Sequence, residues 1–353
     1  MSTATDGAVV SRLSVLDRWL PLWIGLAMGS GLLLGAVFPD IDKVIDSAKI
    51  DTVSLPIAIG LLAMMYPVLA KVRYGRIREE VGEKRVILVT LFFNWVVGPL
   101  LMFVLAWTFL SDRADLRTGL VIVGIAPCIA MVMIWNDLAF GNREVAAALV
   151  AINALIQIAA FALYGWLLLD VLPGALGWDT ASIDVTPWEI ARSVLVFLGV
   201  PLVAGWASRR IGESRRGEQW YDHVFLPRIG PVALYGLLFT IVCLFAMQGE
   251  RIADNPLDVA RVAAPLAVFF ALMWGGGFLV SKRIGLPYDK SVTVAFTSAG
   301  NNFELAIAVC IAVFGVGSGQ ALAGTIGPLI EVPALVALVY VALWSRRYFG
   351  AAR

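Results

Sequence analysis

Long apolar runs separated by short charged blocks constrain this chain more than any other feature. A bilayer core about 30 Å thick is crossed by roughly 20 apolar residues in helical form. Runs of that length fall at approximately 19–38, 53–70, 86–110, 118–135, 144–169, 188–207, 229–247, 262–281, 291–316 and 320–345. In hydrocarbon every backbone N–H and C=O must find a partner within the protein, which leaves helices or closed barrels as spanning structures. These runs are too long and continuous for barrel strands, which alternate apolar and polar residues. The expected fold class is therefore an all-α integral membrane protein with ten transmembrane helices. Composition agrees: 60% of the 353 residues are apolar and 15% charged, with a mean hydropathy of +0.84. That leaves too little polar surface to coat a soluble globule.

The net charge of +1 gives no bias toward nucleic acid, and the charged blocks read as loops. No glycine loop is followed by Lys and Ser/Thr, so the chain carries no ATPase machinery and no cofactor motif. Energy for transport would come from an ion gradient or a separate subunit. Cys128, Cys243 and Cys310 lie in apolar stretches, too few and scattered for a disulfide framework. Single His223 has no ligand cluster near it in sequence and is not read as a metal ligand. The first run follows Arg12 and Arg18 without a small-residue cleavage pattern, and reads as a retained helix rather than a signal peptide. Most of the 27 lysines and arginines fall in the N-terminal segment, the even-numbered loops and the closing "SRRYFGAAR". That asymmetry places both termini on the cytoplasmic side of the cell membrane. Trp19, Trp188 and Trp344, near span ends, read as interface anchors.

Five spans followed by five suggest a duplication whose second copy enters the membrane inverted. The implied organisation is a cytoplasmic segment 1–18, a first repeat 19–170, an extracytoplasmic connector 171–187, a second repeat 188–345 and a cytoplasmic tail 346–353. "GIAPCIAMV" in span 4 then corresponds to "FTSAGNNFE" in span 9, by element type rather than residue identity. Inverted repeats with interrupted helices are a transporter design, and the binding site lies near the midplane where the repeats meet.

Pro127 breaks span 4, because proline lacks an N–H and keeps Ala126 out of the helical region. Span 9 breaks at Ser298–Asn302, where Gly300 permits unusual dihedrals and Ser298 or an asparagine caps the half-helix that restarts toward Glu304. The bland reading is two packing kinks, since Gly and Pro are common in membrane helices. Against it, both breaks occupy matching repeat positions and each sits beside a reactive side chain. Cys128 is expected at the N-terminus of the second half of span 4, where N–H groups favour a thiolate and apolar burial opposes one. Cys243 and Cys310 read as small hydrophobes. Glu304 at mid-span costs about 2.5–3.5 kcal/mol to insert and is a functional candidate, against a protonated carboxyl bonded to a neighbouring helix. Glu331, between Pro328 and Pro333, is a second candidate or the partner of a disturbed backbone. Asn153 and Gln157 read as polar glue between helices, with a site role for Asn153 as the alternative. Small residues in "GLAMGSGLLLGA" and "WGGGF" read as close helix packing.

"GIAPCIAMVMIWNDLAFGN" and "FTSAGNNFELAIAV", with "FFNWVVGPL" and "GPLIEVPALV", resemble the arsenite efflux permeases of the arsenical-resistance type, within the bile acid/arsenite/riboflavin transporter superfamily. The resemblance spans nearly the whole chain. It implies ten helices in two inverted five-helix repeats, with helices 4 and 9 broken and crossing at the midplane. It also implies export of trivalent arsenic, arsenite and possibly antimonite, in exchange for protons and without an ATPase subunit. By position the family's helix 4 cysteine corresponds to Cys128, the arsenic ligand, and its helix 9 acid to Glu304, with Asn302 and Glu331 at further motif positions. The hydroxyls of arsenite can meet Asn301 and Asn302, and Glu304, with Glu331 next, is the candidate for proton coupling. Phe296, Asn153 and Trp135 match further motif positions, and Ser298 and Gly300 lie inside the motif. Some relatives carry an arginine just before the cysteine, where this chain has Pro127. Trivalent arsenic is soft, so one cysteine suits a ligand that must also be released. The competing expectation is sodium-coupled uptake of an organic anion on the same fold. A sensor or membrane enzyme using a Cys–Glu pair is a third, and it lacks a histidine base nearby.

Overall fold

The computed structural model describes residues 19–38, 40, 41, 45, 49, 50, 53–73, 84–129, 131–178 and 186–349. The N-terminal segment 1–18, the loop residues 74–83, residues 179–185 of the connector and residues 350–353 of the tail lie outside the described residues. Helices dominate. In the first half of the chain come α1 (Leu20–Val37), α2 (Leu55–Ala70), α3 (Lys84–Phe109), α4 (Ala114–Gly124), α5 (Val132–Leu138) and α6 (Arg143–Ala175). After it come α7 (Pro187–Arg216), α8 (Leu226–Asp254), α9 (Pro256–Arg283), α10 (Tyr288–Ala299), α11 (Phe303–Phe314) and α12 (Gly319–Ser345). One antiparallel pair, Lys49–Ile50 with Val53–Ser54, departs from the all-helical expectation. Helix α6 runs on to Ala175, so the connector expected at 171–187 begins inside a helix.

Among the described residues, six helices are long and apolar enough to cross a bilayer: Lys84–Phe109, Arg143–Ala175, Pro187–Arg216, Glu218–Gly249, Pro256–Arg283 and Gly319–Tyr348. Their exposed faces carry large apolar side chains such as Leu88, Leu163, Val203 and Leu272. Against water that surface would be prohibitive; against lipid it is the natural covering. The chain is a helical integral membrane protein.

Local chemistry sets the helix boundaries. Proline stands in the first turn of α1, α2, α7, α8 and α9, where its missing N–H costs nothing. Thr186 and Glu189 form a reciprocal capping box at the start of α7. Asn142 caps α6 and Ser318 caps α12, each accepting from the third following amide at 3.1 Å. Gly217 and Gly315, both at φ +85°, end α7 and α11.

Helices α1, α2, α7 and α8 pack against one another as one group, while α3, α4 and α9–α12 form a second. Small residues set the first group's spacing: a Cβ on Gly35 of α1 would lie 2.5 Å from the Ala246 carbonyl oxygen of α8. Buried Arg209 of α7 donates to the carbonyls of Ala70 (3.3 Å) and Lys71 (3.1 Å), closing the C-terminus of α2. In the second group the turn after α3 is tied to α9 by Arg113–Asp258 at 2.6 Å and by Asp112 with Arg261. Arg261 holds the exposed Asp112 carboxyl below its ordinary range.

Candidate functional site

The two interrupted spans meet. Helix α4 ends at Gly124, Pro127 cannot donate, and α5 starts only at Val132. Helix α10 ends at Ala299 and α11 starts at Phe303. Between them Pro127 and Asn301 form an antiparallel bridge, in which Cys128 N donates to Gly300 O (2.9 Å) and Asn302 N donates to Ala126 O (2.6 Å). Each break thus supplies the backbone partners the other lacks, which is how non-helical chain can persist deep within a membrane protein.

Side chains complete the joint. Asn301 Nδ2 donates to Val123 O at 2.7 Å. Asn302 Oδ1 caps α11 by accepting from Leu305 N at 3.1 Å, and its Nδ2 donates to Gln157 Oε1 at 3.3 Å. Gln157 Nε2 donates to the Pro127 carbonyl, so one side chain of α6 bonds to both breaks. The helix-gluing role read for Gln157 holds, but its place at this joint was missed. The available signal was its position four residues after Asn153 in an otherwise apolar helix, on the same face. Gln157→Leu would leave the Pro127 carbonyl and the Asn302 amide buried and unpaired, at about 1–3 kcal/mol each. The expected result is a clear fall in melting temperature in detergent; an unchanged one would show that the joint does not need Gln157.

Two expectations are corrected here. Gly300 adopts φ −72° and ψ 140°, ordinary extended backbone, so conformational freedom does not explain it. The reason is proximity: a Cβ there would lie 2.9 Å from Cys128 Cβ and 3.6 Å from its Sγ. Gly300→Ala must push the two breaks apart, and overpacking of this kind costs about 1–3 kcal/mol. Reduced thermal stability of purified Gly300→Ala protein is the expected readout, and wild-type stability would refute it. Secondly, Cys128 is not at the start of the restarting helix, since α5 begins four residues later and the Cys128 N–H is taken up by Gly300. The helix-terminus argument for an ionised thiol therefore loses its geometric basis. Of the two caps expected for α11, Ser298 or an asparagine, the structure uses Asn302, and the buried Ser298 hydroxyl has no partner among the described residues.

Glu304 occupies the first turn of α11, is 8% exposed, and lines a cavity of about 730 Å³. Ile129 and Met131 from the α4–α5 break line the same cavity, and its mouth carries Lys71, Arg73, Asp137, Arg143 and Asp222. Cys128, 1% exposed, stands one residue behind that wall, against Gly300. The three cysteines are all buried and form no disulfides. Glu331, in α12 between Pro328 and Pro333, is buried beside the backbone amide of Asn301 and within electrostatic range of Glu304. The disturbed backbone it faces is thus that of the α10–α11 break.

Of the remaining sequence candidates, Phe296 reaches the joint through its backbone, its carbonyl accepting from Gly300 N at 3.1 Å. Asn153 Oδ1 accepts from Trp95 Nε1 at 3.3 Å. Trp135 of α5 is fully buried, and its indole N–H has no partner among the described residues. Phe296 packs edge-on against Trp274, ring centres 5.9 Å apart. Ser298 faces Gly277 of α9, which bears out the close-packing role read for "WGGGF". A second polar tie was not anticipated. Thr293 of α10 accepts from Asn142 N at 2.8 Å and lies 2.8 Å from Asn136 Oδ1, joining the turn after α5 to α10.

The family model described as the Sodium Bile acid symporter family matches residues 58–255. The chain is 53% identical to the arsenical-resistance protein Acr3 of Corynebacterium glutamicum, over 95% of this chain and 90% of that protein. It is 35% identical to an uncharacterized transporter of Synechocystis, over 95% and 91% of the two chains. It is 32% identical to the arsenical-resistance protein Acr3 of Alkaliphilus metalliredigens, over 94% of each.

Proposed function

The chain belongs to the sodium bile acid symporter family, in the branch of the arsenical-resistance permeases, and from that premise we propose that it exports arsenite from the cytoplasm in exchange for protons. The observation that carries the reading is the joint itself: Cys128 in one break is bridged to Asn301 and Asn302 in the other, and the adjoining Ile129, Met131 and Glu304 line one cavity. Antimonite, equally soft and of the same hydroxide form, is a second substrate on this reading.

The architecture that goes with it is ten spans in two inverted five-helix repeats, with α4–α5 and α10–α11 crossing near the midplane. With the basic loops in the cytoplasm, the mouth at Lys71, Arg73 and Arg143 opens inward and the cavity is the entry path. Arsenite enters as a neutral hydroxide, for which an uncharged joint is suitable. The Cys128 thiol exchanges for one hydroxyl of As(OH)3, forming an S–As bond and releasing one water. One thiolate ligand keeps that step reversible, whereas three would hold the metalloid too tightly for turnover. Remaining hydroxyls meet Asn301 and Asn302, and small movements of Ile129 or Met131 would open the thiol to the cavity. Glu304, already at the cavity wall, binds the counter-transported proton; Glu331 is its neighbour in that task.

The sodium-coupled reading is not favoured: both relatives with a named role are arsenical-resistance proteins matched over nearly their full length. Accumulation of radiolabelled arsenite in everted vesicles tests the proposal. Uptake driven by an imposed pH gradient and indifferent to sodium is expected. Sodium-dependent organic-anion uptake without arsenite movement would overturn it.

A further inference from the structure

The C-terminal ends of α9 and α12 lie side by side and present Lys282, Arg283, Arg346 and Arg347, all exposed. Among the described residues none of the four pairs with a carboxylate, whereas Arg73 pairs with Asp222, Arg143 with Asp137 and Arg209 with Glu213. Aromatic rings hold Lys282, Arg346 and Arg347 instead. Arg346 lies 5.2 Å over Phe140 and 5.7 Å over Tyr288, and Lys282 lies 5.2 Å over Phe349. Arg347 lies 4.3 Å over Trp344 and donates to Tyr348 Oη at 3.0 Å. A ring quadrupole fixes a cation's position and leaves its charge uncompensated. Two helix C-termini supply about half a negative charge each, far short of four cations.

Beside these charges the molecular surface is apolar and aromatic. Trp344 and Tyr348 are 57% and 52% exposed, with Leu279 and Tyr340 exposed on the preceding turns. Such a surface at the end of a spanning helix suits acyl chains below and headgroups above. We propose that Lys282, Arg283, Arg346 and Arg347 form a binding site for the phosphate headgroup of an anionic phospholipid. Charge complementarity selects the anionic class, and the adjoining aromatic face selects a lipid over a soluble anion.

The site also reaches the cavity. Phe140, under Arg346, adopts φ +57°, a left-handed conformation uncommon outside glycine, and Tyr288 Oη donates to the Ala139 carbonyl at 3.1 Å. This turn lies between Asp137 and Arg143, both at the cavity mouth. A headgroup on Arg346 and Arg347 therefore steadies one wall of that mouth. The inference needs only that the chain spans a membrane; it does not depend on the arsenite reading.

The test is native mass spectrometry of the full-length protein from bilayers of phosphatidylcholine with phosphatidylglycerol. Wild type is expected to retain phosphatidylglycerol over phosphatidylcholine, and K282Q/R347Q, which leaves Arg346 on Phe140, to lose about fivefold in retention per cation removed. R346Q/R347Q should lose as much and also open the 139–142 turn to hydrogen exchange; if it does not fold, K282Q/R347Q alone decides. R215Q/R216Q removes equal charge at the exposed end of α7 and should retain the lipid. Equal retention of the two lipids by wild type, full retention by K282Q/R347Q, or an equal loss in R215Q/R216Q would each overturn the site.

Discussion

Cells that depend on this protein for arsenite resistance are expected to lose it with Cys128→Ser, while Cys243→Ala and Cys310→Ala keep most of it. Serine fits the space beside Gly300 and preserves the Cys128 N to Gly300 O bond, because that bond is made by the backbone. What changes is the ligand: a soft sulfur becomes a hard, protonated oxygen with little affinity for trivalent arsenic. Transport into everted vesicles should fall by more than about tenfold, the equivalent of about 1.4 kcal/mol in substrate binding. Cys310 is buried in α11 and Cys243 in α8, and neither lines the cavity. Their truncation removes one buried atom each and costs stability on the order of 1 kcal/mol. Near-normal resistance from Cys128→Ser at equal expression would remove the central ligand, and with it the proposed substrate chemistry.

Glu304→Gln is expected to abolish uphill transport and leave a folded protein in the membrane. On the proposed reading, exchange requires that proton and substrate do not travel together, and a titratable carboxyl at the cavity wall would enforce this by being either free for substrate or protonated. Glutamine keeps the shape and the first-turn position in α11, so the Asn302 cap and the joint with α4 are undisturbed. It cannot release or take up the transported proton. The measurement is arsenite accumulation in everted vesicles under an imposed pH gradient, compared with equilibration when no gradient is applied. Accumulation by the Gln protein equal to wild type would move coupling elsewhere. Glu331→Gln is then the variant to measure, since Glu331 lies beside Asn301 and within electrostatic reach of Glu304.

The sequence by itself determined the membrane setting, the helical class and the positions of both breaks. Each is a property of neighbouring residues. Apolar run length is fixed by bilayer thickness, Pro127 interrupts its helix because it lacks an N–H, and "SAGNN" is legible because polar residues are costly inside an apolar run. Cys128, Asn302 and Glu304 could be singled out on the same local grounds. Tertiary structure alone decided what those residues meet. Asn301 bonds to Val123 across 178 positions of chain and Gln157 bonds to Pro127 across 30, and no periodicity within either segment encodes such a pairing. Gly300 shows the difference most directly. Its sequence suggested unusual dihedrals, but its backbone is ordinary, and a glycine is required because Cys128 from the other half of the chain packs where a Cβ would stand. The reason for that residue lies in a contact between two distant breaks that exists only after both helix groups have packed. The same holds for Gln157, whose side chain bonds to both breaks.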